Sequence, residues 1–546
     1  MLIRLAGGRI VDPANKRDGV GDLWIRGDRI IAPPQGETPD AVYDVSGKIV
    51  MAGAIEIHSH VASGNVNTAR LLLPENHRAH RPRPAETPLS TAGWSTFETG
   101  CRYAAMGFTT IIEPAVPPHY ALHSHLELAD IPILDKGNLT ALGEDDFLLS
   151  LLRDRASSKA IADYVAATVA ASKALGVKTI NPGGSVAFQE NARTFDLDDV
   201  VPNYGVTSRQ IIQALQQAVI DLGIPHPLHL HINNLGVPGN VETAIKTIAA
   251  AEGKPIHLAH IQFYSYGKEG KRGFSSAAAQ LAAAINAAPK EITVDIGQVM
   301  FRQTVTVSLD VIRQWSARPM AKPRKSVIYD GDANGAGVVP YLYKSDNFYN
   351  AVQWACGLEL FLLLDDPMRA LFTTDHPNGA PYTTYPELFA LIMSRDARAK
   401  WLADLPKEAV EMTTLPSLRR EYSFSEIAAM TRVAPAKLLG LKDRGHLSPG
   451  ALADVAVYND DPDRAQMFRF AHLVFKDGDL VVRDGRVTHY RYGRTLTAQP
   501  SYGSGIDRRL ASYYDDLYGV SRDLFKVPPA GAIGRDYAFE EVACGR

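Results

Sequence analysis

Eight strand-like runs alternate with helix-like segments through the middle of this chain, and this alternation restricts the fold more than any other feature. Strands separated by helices form parallel sheets, because each helix returns the chain to the same edge of the sheet. Eight such units predict an α/β fold, a (β/α)8 TIM barrel. The strand-like runs are residues 54–58, 109–113, 139–142, 177–180, 227–232, 256–261, 292–296 and 370–374. Helix-like runs between them include residues 161–175, 209–222, 241–251 and 275–288.

Both ends of the chain are rich in short β-like runs separated by tight turns. The C-terminal part carries two Asp-Gly hairpin signals, Asp477-Gly478 and Asp484-Gly485, which are typical of two-residue β-turns. We expect residues 1–52 and 440–497 to pair as one composite β-sandwich domain beside a barrel of residues 53–439. Residues 498–546, rich in Tyr, Arg and Gly, are expected to pack as a tail on the surface or at an interface.

Composition excludes several classes of protein. The 546 residues are 46% hydrophobic and carry a net charge of −3, which argues against a general nucleic-acid or membrane surface. The three cysteines are far apart and form no Cys-x-x-Cys pair, so neither a disulfide framework nor a thiolate zinc site is indicated. The N-terminus has no apolar signal core. We therefore expect a cytoplasmic protein that binds neither nucleic acid nor membrane.

The first barrel strand ends in a pair of histidines, His58 and His60. Strand side chains repeat with period two, so both rings project from one face and can share a metal ion. A second His-x-His, His123 and His125, lies in the helix-like run of residues 120–129. Helical positions i and i+2 point apart, so this second pair is not expected to chelate.

Three later strands add residues of the same chemical type. The fourth strand carries Lys178, the fifth His229 and His231, the sixth His257 and His260, and residue Asp375 follows the eighth. Taken singly, such histidines are more often hydrogen-bonded core residues, and the Asp of a Thr-Thr-Asp sequence is often a helix cap. Four strands that supply ligand-type residues to one barrel mouth together predict a binuclear metal site.

Lys178 requires a special form in such a site. An ammonium group beside four histidines and two cations would face like charge. Carbamylation by CO2 converts the amine into a carboxylate-like group that can bridge two cations. We therefore predict that Lys178 is carbamylated (N6-carboxylysine) and acts as an anionic ligand.

These motifs carry a family resemblance. Residues 53–60, Lys178, the two later histidine strands, residues 374–377 and residues 445–454 together resemble the amidohydrolase superfamily, over about residues 1–495. The resemblance implies a barrel with a small β-sandwich made from both chain ends. Glu56 departs from the pattern, since the superfamily usually has Asp two residues before the first histidine.

A narrower resemblance concerns residues 229–240, 256–263 and 375–381, which look like the hydrolytic subunit of formylmethanofuran dehydrogenases and of their bacterial counterparts, the formyltransferase/hydrolase complexes. It implies hydrolysis of a formylated, methanofuran-like amine carrier to formate and free amine, inside a multi-subunit complex. His58 and His60 would hold one Zn2+ and His231 and His260 the other, with carbamylated Lys178 and a hydroxide between them. Asp375 would be a metal ligand and the catalytic base.

Further residues are expected around this centre. His229, His257 and Asn233 are candidates to orient the ligands rather than to bind metal. The carrier's anionic polyglutamate tail would need a basic channel, and two clusters in long insertions are available, although solvated surface charge also explains them. These candidates are Arg78, Arg81 and Arg83 in the first insertion and Lys322, Arg324 and Lys325 in the second.

Two other functions remain open from the sequence. One is a hydrolase of cyclic amides or N-acyl amino acids, of the hydantoinase, dihydroorotase or aminoacylase kind, which uses the same metal chemistry. The other is a metal-free scaffold subunit, which should lack some of the ligands.

Overall fold

The computed structural model describes residues 1–72, 96–190, 192, 194–307, 338–534 and 536–545. Eight parallel strands form the barrel, as predicted, and a parallel bridge between Ser59 and His376 joins the first strand to the last. Seven of the eight start within the predicted runs or one residue before them, and the third, which is longer, starts four residues before its run. The barrel strands are Ala54–Glu56, Phe108–Val116, Asp135–Ala141, Gly176–Ile180, Leu228–His231, Ile256–Leu258, Ile292–Asp295 and Ala370–Leu371.

Two strands from the C-terminal region join the barrel sheet, which differs from our expectation. Thr495–Thr497 pairs with the third barrel strand, and Phe539–Glu541 pairs with Thr495–Thr497. The third strand is long, and the fourth pairs only with its last residues, from Leu139 on. Its first half would present an open edge, which Thr495–Thr497 covers. Thr495–Thr497 therefore belongs to the barrel sheet and not to the β-rich domain. Because Phe539–Glu541 joins the same sheet, the C-terminal region is more than a surface tail.

Helices cover the outside of the barrel. The four predicted helices are present, and side-chain caps fix two of their starts: Ser157 accepts from the amide of Ala160, and Thr207 and Gln210 form a capping box. The fourth begins at Ala278 because Ser275–Ser276 pairs with Tyr266–Gly267. The α-helices are Gly64–Leu72, Thr96–Ala105, Ala121–Asp130, Asp146–Arg153, Ser158–Ser172, Gly184–Gln189, Ser208–Asp221, Val241–Ala250, Ala278–Ala287, Phe348–Leu363, Tyr385–Met393, Arg395–Ala403, Lys407–Glu411, Phe424–Ala428, Ala434–Leu438, Arg464–Arg469, Gly505–Tyr518 and Ala530–Ile533.

Both chain ends meet in a separate sheet of nine strands. Lys48–Ala52 from the N-terminal part pairs antiparallel with Val455–Asn459 from the C-terminal part. The sheet folds over its own apolar core, where the rings of Tyr43 and Phe475 lie 5.4 Å apart although their strands are not neighbours. Its strands are Leu2–Asp12, Arg17–Arg26, Arg29–Ile31, Ala41–Asp44, Lys48–Ala52, Val455–Asn459, Leu473–Lys476, Asp479–Arg483 and Arg486–Val487.

The remaining elements are short. A further hairpin pairs Gln303–Thr306 with Val339–Leu342. A π-helical turn, Ala429–Val433, connects two of the short helices. Among the described residues, none of the helices has the length and apolar character needed to cross a bilayer.

Candidate metal centre

The six residues predicted as metal ligands meet at the carboxyl rim of the barrel. This follows from the topology, since all eight parallel strands end on one side. Five of the six are buried, and the side chain of His60 is 13% exposed. The six residues are His58, His60, Lys178, His231, His260 and Asp375.

Asp375 lies between the two histidines of the first strand. Its Oδ1 is 3.1 Å from Nε2 of His58 and 3.3 Å from Nε2 of His60. The same oxygen accepts a hydrogen bond of 3.0 Å from Nδ2 of Asn378. Asp375 has a φ of 51°, which few residues other than glycine adopt. The surrounding contacts thus hold its carboxylate in place against local backbone preference, as is common at functional sites.

His260 also has a left-handed backbone, with a φ of 35°. Gly297 makes room for it, because a Cβ at position 297 would lie 2.4 Å from the Cβ of His260. The ring centroid of His260 is 4.6 Å from that of His231 and 5.3 Å from that of His58. The predicted sixth strand, residues 256–261, ends at Leu258 because His260 leaves the extended conformation.

Lys178 is buried in the middle of these groups. Its Nζ has no hydrogen-bond partner among the described residues. Burial lowers the pKa of Lys178 to about 8, although Asp295, Asp375 and Glu113 act in the opposite direction. An unpaired buried ammonium group is costly, so this environment favours the neutral amine or a modified side chain.

The pKa values of the metal-site histidines are shifted in opposite directions. Burial lowers the pKa of His260 to about 3 and the pKa of His231 well below its ordinary value. Both rings are therefore neutral at pH 7 and have a lone pair available for a metal. Burial also opposes charge on His60, but Glu113 and Asp375 raise its pKa to about 9. The surroundings of His60 therefore favour a positive charge, which either a proton on the ring or a bound metal cation can supply.

The donor set fits divalent cations. Nε2 of His58, Nδ1 of His260 and Nζ of Lys178 are buried and form no hydrogen bond with the described residues. His58, His260 and Asp375 each offer a ligand atom, and these atoms lie within 4.8 Å of one another. Nitrogen and carboxylate donors at this spacing suit zinc and similar metals.

Three histidines extend inward from this centre. Nε2 of His229 is 3.1 Å from Nδ1 of His58, and Nδ1 of His229 is 3.1 Å from Nε2 of His226. Nε2 of His257 is 3.0 Å from Oδ2 of Asp295. His229 therefore contacts His58 directly, and His257 contacts Asp295, which in turn contacts His58. Asn233 does not, since its side chain accepts from Ser208 and donates to the carbonyl of Pro182, and so holds the loop after the fifth strand.

Sequence reasoning missed two buried carboxylates. Asp295, at the end of the seventh strand, is 3.0 Å from Nδ1 of His58, and Glu113 is 3.0 Å from Nδ1 of His60. The same signal was available for both, because Glu113 ends the predicted run 109–113 and Asp295 lies near the end of the run 292–296, where polar residues face the mouth of a barrel. In the structure the second strand continues to Val116, so Glu113 lies inside it.

Glu56 supports the first histidine through the backbone. It accepts hydrogen bonds from the amide of His58 at 2.8 Å and from the hydroxyl of Tyr385. Burial raises the pKa of Glu56 to about 8, and these hydrogen bonds only partly offset that effect. The longer side chain at this position is therefore occupied by the His58 amide and the Tyr385 hydroxyl.

Other candidate residues lie elsewhere. Arg78, Arg81, Arg83, Lys322, Arg324 and Lys325 lie outside the described residues, so the tail-binding role stays a prediction. His125 is buried within 2.7 Å of the hydroxyl of Tyr537 and 2.9 Å of the carbonyl of Ser172. It is a structural residue, remote from the centre, as its helical setting predicted.

Comparison with known proteins agrees with this geometry. A family model described as "Amidohydrolase family" matches residues 41–489, which include every proposed ligand. The chain is 50% identical to the FhcA component of the formyltransferase/hydrolase complex Fhc of Methylorubrum extorquens, over 100% of both chains. It is 36% identical to "Protein FwdA" of Methanocaldococcus jannaschii, over 91% of both chains.

A solved structure agrees over the same extent. The chain matches the crystal structure of the formyltransferase/hydrolase complex FhcABCD from Methylorubrum extorquens, determined with methylofuran, with a TM-score of 0.95. The identity is 50%, and the match covers 100% of both chains. The similarity thus includes the barrel, the nine-stranded sheet and the C-terminal region together.

Proposed function

The chain belongs to the amidohydrolase family, and on that premise we propose that it hydrolyses the N-formyl group of a formylated methanofuran-type amine to formate and free amine. The cluster of buried nitrogen and carboxylate donors at the barrel rim carries this proposal. The full-length similarity to FhcA and the extensive similarity to FwdA support the choice of substrate class and of a multi-subunit complex. The three free cysteines support a cytoplasmic location.

In this proposal two divalent metal ions, most simply Zn2+, are held at the rim. His58 and His60 would hold one and His231 and His260 the other, and carbamylated Lys178 and Asp375 would add anionic oxygen donors. Bound cations would lower the pKa of a water molecule and polarise the formyl oxygen.

Lys178 is suited to carbamylation by its environment. Carbamate formation joins the amine nitrogen to CO2 and releases one proton, so it requires the neutral amine. The pKa of Lys178, lowered to about 8 by burial, provides a useful fraction of neutral amine near neutral pH. The product is an anion, which two bound cations and the positive charge favoured at His60 would stabilise.

Asp375 is the proposed proton carrier. Burial opposes charge on Asp375, but the positive charge favoured at His58 and His60 holds its pKa well below its ordinary value, so it is ionised. It accepts the proton of the attacking water and then donates it to the departing amine nitrogen, which must lie within hydrogen-bond reach. The amine leaves neutral, and the second proton of the water is released to solvent, so that the other product leaves as the formate anion.

The two alternatives have less support. A hydrolase of cyclic amides or N-acyl amino acids would share the metal centre, but the relative that is 50% identical over the whole chain is a subunit of a formyltransferase/hydrolase complex. A metal-free scaffold subunit would be expected to have lost donors, and here all six remain buried or half-buried at one rim.

Formate release tests this proposal directly. The purified chain, alone and with its co-purifying subunits, is incubated with an N-formyl furan-amine carrier, and formate is measured. Hydantoin, dihydroorotate and N-acetyl amino acids serve as matched substrates for the alternative. Turnover of one of these, with none of the formyl amine, would contradict the proposal.

A further inference from the structure

We propose that Asp295 is a positioning residue that fixes ligands of both metal ions, whereas Glu113 fixes a ligand of only one. This inference rests on the ligand assignment of the proposed function. It concerns two side chains that the sequence analysis did not identify and that the proposed function does not use as ligands. Both are fully buried carboxylates, and each lies behind a different histidine of the first strand.

Asp295 makes three short contacts and leaves neither oxygen free. Oδ2 is 3.0 Å from Nδ1 of His58 and 3.0 Å from Nε2 of His257. Oδ1 accepts a hydrogen bond of 2.6 Å from the backbone amide of His260. One side chain therefore joins the ring of a proposed ligand of the first metal to the backbone of a proposed ligand of the second.

The contact to His58 determines which ring nitrogen faces the rim. An ionised carboxylate only accepts hydrogen bonds, so Nδ1 of His58 must carry a hydrogen, and in the neutral ring that binds a metal Nε2 then carries the lone pair. That lone pair points to the side of Asp375, 3.1 Å away. The other neighbour of Nδ1, Nε2 of His229 at 3.1 Å, can act as a second acceptor for the same hydrogen.

Asp295 is itself held in position. His257 donates from Nε2, so its Nδ1 is an acceptor, and the hydroxyl of Thr293 lies 2.9 Å from that atom and can donate to it. Along this series of contacts, Thr293 orients His257, His257 orients Asp295, and Asp295 orients His58. Carboxylates placed behind metal-binding histidines typically raise metal affinity by this kind of orientation.

Glu113 also positions a proposed metal ligand, but it contacts only one. Its Oε1 is 3.0 Å from Nδ1 of His60. Its Oε2 accepts from the amides of Val61 at 2.5 Å and Ala62 at 2.8 Å. These contacts all fall on the segment that follows the first strand, so Glu113 orders His60 and makes none of these contacts with His231 or His260.

The test compares isosteric amide variants and one alanine variant by metal content, without any substrate. In D295N the amide oxygen can still accept from His260, which leaves the NH2 group facing Nδ1 of His58. That nitrogen must then accept, the hydrogen moves to Nε2, and the lone pair is lost from the rim. In D295N we expect a loss of affinity of about 10- to 100-fold at the site of His58, whereas D295A, which also removes the acceptor of the His260 amide, should show this loss at both metal sites. Both are measured as Zn2+ per chain after dialysis and as Co2+ titration followed by visible absorption. In E113Q we expect this loss for one metal only.

A matched control is E359Q. Glu359 is a fully buried carboxylate that accepts from Thr414 and Ser276, remote from the rim, and its variant should retain both metals. Retention of both metals at wild-type affinity by D295N would overturn the inference. Loss of one and the same metal by D295A and E113Q would overturn the claim that Asp295 serves both.

If D295N fails to fold, position 257 gives a second test. H257Q keeps an N–H donor for Asp295 and should retain metal, whereas H257L removes the donor and should lose affinity at both sites. Equal metal binding by H257Q and H257L would also overturn the inference. Because no step measures formate, failure of the proposed function leaves this result unaffected.

Discussion

Oδ1 of Asp375 lies 3.1 Å from Nε2 of His58, and the two atoms face each other. A carboxylate oxygen and an imidazole nitrogen at this distance require a positive charge at the contact, which a proton on Nε2 or a cation bound to both atoms supplies. The contact joins the segment that follows the last barrel strand to the segment that follows the first, and the Ser59–His376 bridge closes the barrel beside it. The proposed base is therefore fixed relative to the proposed ligands.

Replacing this base by its amide should separate chemistry from metal binding. We expect D375N to lower kcat for formate release by about 10²- to 10⁴-fold, because proton transfer is lost, while most of the metal is retained through the remaining donors. Formate assay and metal analysis of the same sample measure both effects. D404N, at an exposed carboxylate, is the control. Wild-type turnover in D375N would exclude Asp375 as the base.

Lys178 should control metal retention. We expect K178A to lose both bound metal and turnover, because the anionic ligand shared by the two ions is removed. Metal uptake by the metal-free wild-type protein should also be slower in buffer depleted of CO2 and bicarbonate. K159A, at an exposed lysine, should behave as wild type. Full metal content in K178A would contradict the bridging role.

His125 should make the fold sensitive to acid. Burial lowers its pKa from 6.5 to about 4, so between these values the unfolded state binds more protons than the folded state. Stability therefore falls as the pH drops from about 6.5, by about 2 kcal/mol at pH 5. Urea denaturation of the metal-free protein at pH 7 and pH 5 measures this loss.

The variant H125Q should lose this part of the pH dependence, whatever its stability at pH 7. H489Q, at an exposed histidine, should keep it. An unchanged difference between pH 7 and pH 5 in H125Q would assign the acid sensitivity to other groups.

The basic cluster in the first long insertion should affect substrate binding more than chemistry. If Arg81 and Arg83 bind the anionic carrier tail, the double variant R81A/R83A should raise KM much more than it lowers kcat, with a smaller effect at high salt. The double variant R483A/R486A, on the nine-stranded sheet, is the control. An unchanged KM would remove both residues from the tail site.

Much of the architecture could be predicted because it rests on local periodicity. Alternating strand and helix runs located all eight barrel strands, and strand periodicity placed His58 and His60 on one face. The helical setting of His125 correctly removed it from the candidates. The pairing of Thr495–Thr497 with the barrel could not be predicted, since a short β-like run does not indicate which open edge it will cover.

The sequence by itself determined the order of the elements and the type of donor at the end of each strand, because both follow from residue identity and spacing. The tertiary structure decided which atoms of those donors face one another. Barrel closure brings Asp295 behind His58 and Glu113 behind His60, over separations of 237 and 53 residues. No local rule relates residues so far apart, so ring orientation, burial and the resulting pKa values were fixed only when the strands met.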